Sequence, residues 1–264
     1  MFRVPRRAAL LAVGLALVLV APASVSATHS WGGYHWARTS NPFTLKLGDN
    51  VTSAWDSYLA TTSGDWTASS VLDTAIVPGS APRAKQCRAT AGTVQVCNAT
   101  YGNNGWLGVA SISVTGGTHI TQATVKVNDT YFNTSTYTAP EWRNLVMCQE
   151  VGHALGLDHQ DTDFTNANLN TCMDYTNNPS SNQHPNQHDY DELVTIYTHL
   201  DSTTTLASAT SATSASSAGG PSGNAAPAGW GRLVAVTNGG HGATYLLDLG
   251  GGNLVLTHVL WAGR

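Results

Sequence analysis

The sequence predicts an α+β fold, because strand-like runs and helix-like runs occupy separate stretches around one long helix. Five short runs are apolar or alternate in polarity, as strands do: 43–47, 71–77, 93–96, 106–114 and 120–127. A longer stretch opens with Thr138-Ala139-Pro140 and continues with apolar residues at helical spacing. Proline suits a first helical turn, because its missing N–H has no helical partner there. A chain of 264 residues is long enough for one sizeable domain with an appendage.

The first 27 residues have the pattern of a secretory signal peptide. Three arginines form a positive head, residues 8–20 form a short apolar core, and Val25-Ser26-Ala27 offers a small-residue cleavage site. The apolar core is shorter than the roughly 20 residues that a membrane helix needs. We therefore expect cleavage after Ala27 and an exported, soluble mature protein.

Two further helices are predicted on either side of the long one. The segment from Asp49 to Tyr58 has Asn50 as a possible cap and apolar residues at helical spacing. The last helix is predicted from Asp189, which with Glu192 fits a capping box. Among the strands, Gly116-Gly117 marks a turn.

The composition changes twice beyond residue 201. Residues 202–228 are rich in Ser, Thr, Ala and Gly and have almost no large apolar side chain, which is typical of a flexible linker. Residues 229–264 contain three strand-like runs separated by Gly-rich turns, which predict a small β meander. The predicted organisation is a signal peptide at 1–27, a main domain at 28–201, the linker, and a C-terminal β-rich segment. Such a small sheet is marginal alone, so we expect it to dock on the main domain or on a target.

Four cysteines in an exported chain predict two disulfides. Cys87 and Cys97 bracket a short Gly-containing segment, and Cys148 with Cys172 forms the natural second pair. The rival interpretation is a metal role for Cys148. On a helix, however, Cys148 points about 100° away from its neighbour at 149.

The long helix carries the strongest functional motif of the sequence. Glu150, His153, Gly156 and His159 match the zinc-protease pattern H-E-x-x-H-x-x-G-x-x-H, with Gln149 where the first His belongs. Positions 149 and 153 are four apart and project from one helix face, close enough to hold a single ion. Glycine at 156 favours a left-handed turn that ends the helix and lets His159 arrive as a further ligand.

This motif, followed by Cys172-Met173-Asp174-Tyr175, resembles the metzincin clan of zinc endopeptidases, including the matrixins, astacins and serralysins. The resemblance covers about residues 43–200 in element order and is specific only from 150 to 175. It implies a twisted mixed sheet with an active-site helix, a Met-turn and a C-terminal helix. It also implies that Met173 floors the metal and that Tyr175 assists the developing oxyanion. The prodomain cysteine that keeps matrixins latent has no counterpart between Ala27 and the first strand, so latency would be controlled in another way or not at all.

The predicted site therefore has Gln149, His153 and His159 as zinc ligands, with Gln149 weak because an amide oxygen is neutral and less basic than imidazole. Glu150 is the expected general base. A calcium site is only weakly suggested, by Asp161 and Asp163, because two carboxylates do not make a full oxygen cage.

Three other histidines, His119, His241 and His258, lie in or near strands without acidic sequence neighbours and are interpreted as packed or solvated.

Two classes of function remain open on the sequence. One is a secreted zinc-dependent endopeptidase that acts on a protein or peptide substrate. The alternative is a catalytically weak or inactive descendant whose groove serves for binding. The net charge of −4 and the absence of Lys/Arg runs give no sign of a nucleic-acid partner, and a monomer is favoured.

Overall fold

The structure is a computed structural model that describes residues 28–207 and 229–263. The predicted signal peptide and most of the predicted linker lie outside the described residues. Within the described ranges, no helix combines the length and the apolar character that a bilayer crossing needs.

The architecture is a mixed sheet with few helices, which agrees with the α+β prediction. The strands are β1 (His35–Trp36), β2 (Phe43–Asn50), β3 (Leu72–Pro78), β4 (Thr93–Ala99), β5 (Trp106–Thr115), β6 (His119–Asn128), β7 (Arg232–Val236), β8 (Gly242–Gly250) and β9 (Asn253–Trp261). The described strands form one sheet in the order β3-β2-β4-β6-β5-β9-β8-β7, and β1 pairs with β6. The β3–β2–β4–β6 part is parallel, and every pair from β6 to β7 in this order is antiparallel.

The helices are α1 (Asp56–Thr67), α2 (Asp129–Phe132), α3 (Pro140–Ala154) and α4 (Gln187–Ile196). Helix α3 has Pro140 in its first turn, as predicted, and packs on β5, β6 and α1. The indole N–H of Trp66 on α1 donates to the carbonyl oxygen of Cys148 on α3. Because Trp66 and the second half of α3 are buried, this contact fixes α3 against the core.

Two details of the helices differ from the sequence prediction. The segment at Asp49 and Asn50 belongs to β2, because its backbone pairs with β4, so α1 begins only at Asp56. The capping box of α4 is formed by Asn186 and Asp189, so the prediction that Asp189 and Glu192 form it was wrong. The Asn186 side chain accepts from the backbone N–H groups of His188 and Asp189. The Asp189 carboxylate in turn accepts from the backbone N–H of Asn186.

The C-terminal strands do not form a separate sheet. Strand β9 pairs with β5 along eight residue pairs, from Trp106↔Trp261 to Val114↔Leu254. A small second core, which includes Trp106, Trp230 and Val259, joins the two parts. The pairing places a segment from the far end of the chain beside helix α3.

An ion pair joins the segment after β1 to the residues that follow α4. The side chain of Arg38 is 1% exposed and lies 2.9 Å from Asp201, which is 9% exposed. The Asp201 carboxylate also accepts from the backbone N–H of Arg38. Arg38 stacks on the Tyr197 ring as well.

Replacing Asp201 by Asn should lower the free energy of unfolding by about 3 kcal/mol, because it leaves a buried guanidinium without its charge partner. Burial raises the pKa of Asp201, but the Arg38 amide and the charges of His35, Arg38 and His119 outweigh it and lower the pKa. The stabilisation should therefore be present at neutral pH and be lost only as the pH falls below the ordinary Asp range. Urea unfolding of Asp201→Asn, compared with the exposed control Asp191→Asn, measures the loss. Equal midpoints for the two variants would contradict it.

Candidate metal and catalytic centre

Helix α3 places the motif residues against the sheet. Gln149, Glu150 and His153 are 1%, 0% and 0% exposed, respectively. Strand β5 runs so close to this face that a Cβ at Gly108 would lie 2.4 Å from Glu150 Oε1. The glycine is therefore what allows the carboxylate to sit between helix and strand.

The chain turns directly after α3 and returns with His159. Gly156 has φ +98°, and a Cβ there would lie 2.2 Å from the carbonyl oxygen of Tyr34, so a residue with a side chain cannot occupy this turn without strain. The Nδ1–H of His153 donates to the carbonyl oxygen of Leu157, 2.9 Å away. This bond holds the ring and directs Nε2 into the site. The His159 ring lies 4.6 Å from the His153 ring, centroid to centroid.

Met173 and Tyr175 complete the opposite wall. Met173 is fully buried under the helix, where a Cβ at Gly152 would lie 2.5 Å from its sulphur. The Tyr175 ring stacks on the His159 ring with centroids 3.9 Å apart. The Cys148–Cys172 disulfide ties this segment to α3, and the Cys87–Cys97 disulfide is also formed.

A fourth element enters the site from the C-terminal strand. His258 on β9 is 2% exposed, and its Nδ1 lies 3.3 Å from Glu150 Oε2. Its Nε2 lies 2.7 Å from the Tyr175 hydroxyl and 3.2 Å from His159 Nε2. His258 is packed in a strand, as predicted, but its position beside Glu150 was not predicted, because that acidic residue lies 108 residues away in the sequence.

His153, His159 and His258 each offer a nitrogen, and the three nitrogens lie within 4.8 Å of one another. Two nitrogens bound to one tetrahedral zinc lie about 3.3 Å apart, close to the observed separation of the His159 and His258 Nε2 atoms. Several buried polar atoms here have no hydrogen-bond partner: His153 Nε2, His159 Nδ1, Glu150 Oε1 and Gln149 Oε1. Because unsatisfied buried polar groups are costly, this donor set fits a bound cation.

Burial controls the protonation of these groups. It lowers the pKa of His153 and of His258 to about 3, and it lowers the pKa of His159 well below the usual value. The three rings are therefore neutral, the form that can ligate a metal. Burial also raises the pKa of Glu150 to about 8, against the opposing effects of His153 and the Ala110 amide. The pKa of Tyr175 is raised well above its usual range for the same reason.

Gln149, the residue at the position of the missing His, has its side-chain amide engaged elsewhere than at the histidines. Its Nε2 donates to the carbonyl oxygen of Cys172, 2.8 Å away, and its Oε1 is buried without a partner. The amide also lines a cavity of about 160 Å³ with Tyr175, Trp142 and Trp261. Gln149 can thus contribute its oxygen, but its nitrogen is already engaged.

The weakly suggested calcium pair lies outside this centre. Asp161 accepts from the Asp163 amide and from Asn166, and Asp163 accepts from Thr165. In the described ranges, the two carboxylates belong to no group of three or more metal donors. Another such group does occur, formed by His35, His199 and Asp201 next to the Arg38 ion pair. Because there are two such groups, a measurement of bound metal must be compared with a variant that lacks a named ligand of one of them.

Comparisons with known proteins give a low-level likeness to zinc proteases. Neither the protein-family models nor the curated proteins contain a match. Among solved structures, high choriolytic enzyme 1, a hatching-enzyme zinc-protease of the medaka Oryzias latipes, matches with 9% identity and a TM-score of 0.34. That match covers 62% of this chain and 94% of the other. Myroilysin matches with 14% identity and a TM-score of 0.35, over 70% of this chain and 100% of the other. Likenesses this low assign no activity, so the function has to be argued from the site itself.

Proposed function

We propose that this protein is a secreted zinc-dependent endopeptidase of the metzincin type, with Glu150 as its general base. One observation carries the proposal: a carboxylate and two imidazoles from one helix and its terminal turn converge in a buried site. Buried polar groups without partners are uncommon unless a ligand completes them. His153 and His159 are the firm ligands in this proposal, and Gln149 Oε1 is a weak one.

When bound, zinc would polarise the scissile carbonyl and acidify a water molecule. Glu150 takes a proton from that water and returns it to the leaving amine. Tyr175, whose hydroxyl stays protonated because of its burial, donates a hydrogen bond to the developing oxyanion. Met173 supports the helix from below and contacts no reacting atom.

The disulfides are compatible with an exported protein, and the predicted signal peptide supplies the route. The proposed substrate is a protein or peptide. The cavity beside Gln149 has aromatic walls, including Trp142, Tyr137 and Phe164, which suits an apolar side chain next to the scissile bond.

Chelation tests the metal requirement of this function. Because the centre is closed, the full chain should hydrolyse a quenched-fluorescent peptide only slowly. A strong zinc chelator should abolish this rate, and added Zn²⁺ should restore it while Mg²⁺ should not. His153→Ala should lose the zinc-restored activity, because its Nε2 is one of the firm donors. A rate that survives both chelation and His153→Ala would reject the proposal.

A second candidate function is supported by the closure of the centre. Glu150 is fully buried and Gln149 replaces a strong ligand, as expected of a metal-stabilised protein without catalysis. In that case zinc would raise the melting temperature, as any ligand of the native state does, and no variant would hydrolyse peptides.

A further inference from the structure

We propose that the C-terminal strand β9 is a built-in inhibitor of this site, anchored by His258 as a metal ligand in place of Gln149. The inference rests on the proposed function and names its regulation. It combines three observations: the donor set, the closure of the centre, and the fit of the C-terminal sheet against Tyr175.

The donor set lacks one strong ligand on the helix. Catalytic zinc sites have three protein ligands, and an amide oxygen is a poor substitute for imidazole. His258 Nε2 lies 3.2 Å from His159 Nε2, and one ring nitrogen of His258 lies within 4.8 Å of one ring nitrogen of His153. An imidazole is therefore already present where the helix fails to provide one.

The same strand closes the centre to large molecules. β9 pairs with β5 from Trp106 to Val114, and β5 is the strand that runs against Glu150 through Gly108. With β9 in place, Glu150 and His153 are 0% exposed. A peptide can reach the carboxylate only if β9 leaves. The freed edge of β5 would then offer its unpaired backbone groups to an extended segment of the substrate.

The C-terminal sheet fits this surface closely. A Cβ at Gly242 on β8 would lie 1.8 Å from the Tyr175 hydroxyl oxygen, so this glycine permits the contact. That hydroxyl in turn lies 2.7 Å from His258 Nε2. Strands β8 and β9 therefore both contact the site at the Tyr175 hydroxyl. A methyl group at residue 242 should loosen the sheet, and residue 242 is not a metal donor.

Hydrogen exchange of the full chain tests the anchor. Adding Zn²⁺ to the metal-free protein should slow amide exchange in residues 253–261, because an ion held by His258 stabilises the paired strand. The control His241→Ala, which removes a histidine in the turn before β8, should keep this protection. His258→Ala should lose it. Equal zinc-dependent protection of these amides in His258→Ala, or none in the wild type, would overturn the proposal.

The Gly242→Ala variant tests the block without relying on catalysis. A chelator should remove zinc at least about 10-fold faster from Gly242→Ala than from the wild type, whereas Gly64→Ala, where a Cβ meets nothing within 4 Å, should behave as wild type. Peptide hydrolysis should rise in parallel. Faster exchange of β9 with unchanged zinc removal would overturn the inhibitory role. Faster zinc removal with no hydrolysis in any variant would support the closure of the metal centre by β9 and reject the peptidase, and with it the inhibitory role.

Discussion

Glu150→Gln should reduce peptide hydrolysis by about 10²- to 10⁴-fold or more, measured in the Gly242→Ala background where the site opens. The amide keeps the size of the side chain but cannot take a proton from water. Glu150 Oε1 has no hydrogen-bond partner, and the carboxylate otherwise contacts the His258 ring at 3.3 Å and the Ala110 amide, which an amide oxygen at this position can also accept from. We therefore expect zinc content and the circular dichroism spectrum to stay unchanged.

The matched control is Glu141→Gln, which changes the same chemical group in the first turn of the same helix. It should leave the rate within a factor of about 2, since this residue lies two helical turns or more from the site. If Glu150→Gln hydrolyses peptide as fast as Glu141→Gln, Glu150 is not the base.

Gln149→His should restore tight zinc binding to a chain that carries His258→Ala. Loss of His258 leaves two imidazoles, and removing a ligand should weaken zinc binding by more than the roughly 10- to 100-fold cost of losing an outer-shell partner. A histidine at 149 shares a helix face with His153, one turn away, and so replaces the lost donor. The side chain at 149 also borders a cavity of about 160 Å³, which leaves room for an imidazole ring.

Competition with a fluorescent zinc chelator measures these affinities in the two single variants and the double variant. We expect His258→Ala to bind most weakly and the double variant to return to or above the wild-type affinity. The double variant should also hydrolyse peptide without the Gly242→Ala change, because its metal no longer needs the C-terminal strand. An affinity that stays low in the double variant would mean that residue 149 does not face the metal.

The part of the site that comes from one continuous segment could be predicted from the sequence. Glu150, His153, Gly156 and His159 lie within ten residues, so helix geometry and one glycine turn fix their relation. The position of Gln149 follows from the same helix, and the two disulfides follow from the even number of cysteines. The left-handed Gly156 and both cysteine pairs are found as expected.

The role of His258 could not be predicted in the same way. Its sequence neighbours, Thr257 and Val259, indicate a strand but not its partner, because the pairing of His258 with Ala110, 148 residues earlier, leaves no local trace. The one available signal was indirect: a zinc motif that lacks a strong ligand invites a search among the remaining histidines. The early helix predicted at 49–58 failed for a related reason, since pairing of Asn50 with Cys97 overrides its capping preference.

Anomalous diffraction at the zinc absorption edge, from crystals of the full chain loaded with Zn²⁺, tests the central claim most directly. We predict one anomalous peak within bonding distance, about 2.0–2.1 Å, of nitrogens of His153, His159 and His258, with β9 paired to β5. A peak bound by His153 and His159 with His258 turned away, or no peak at this centre, would contradict it.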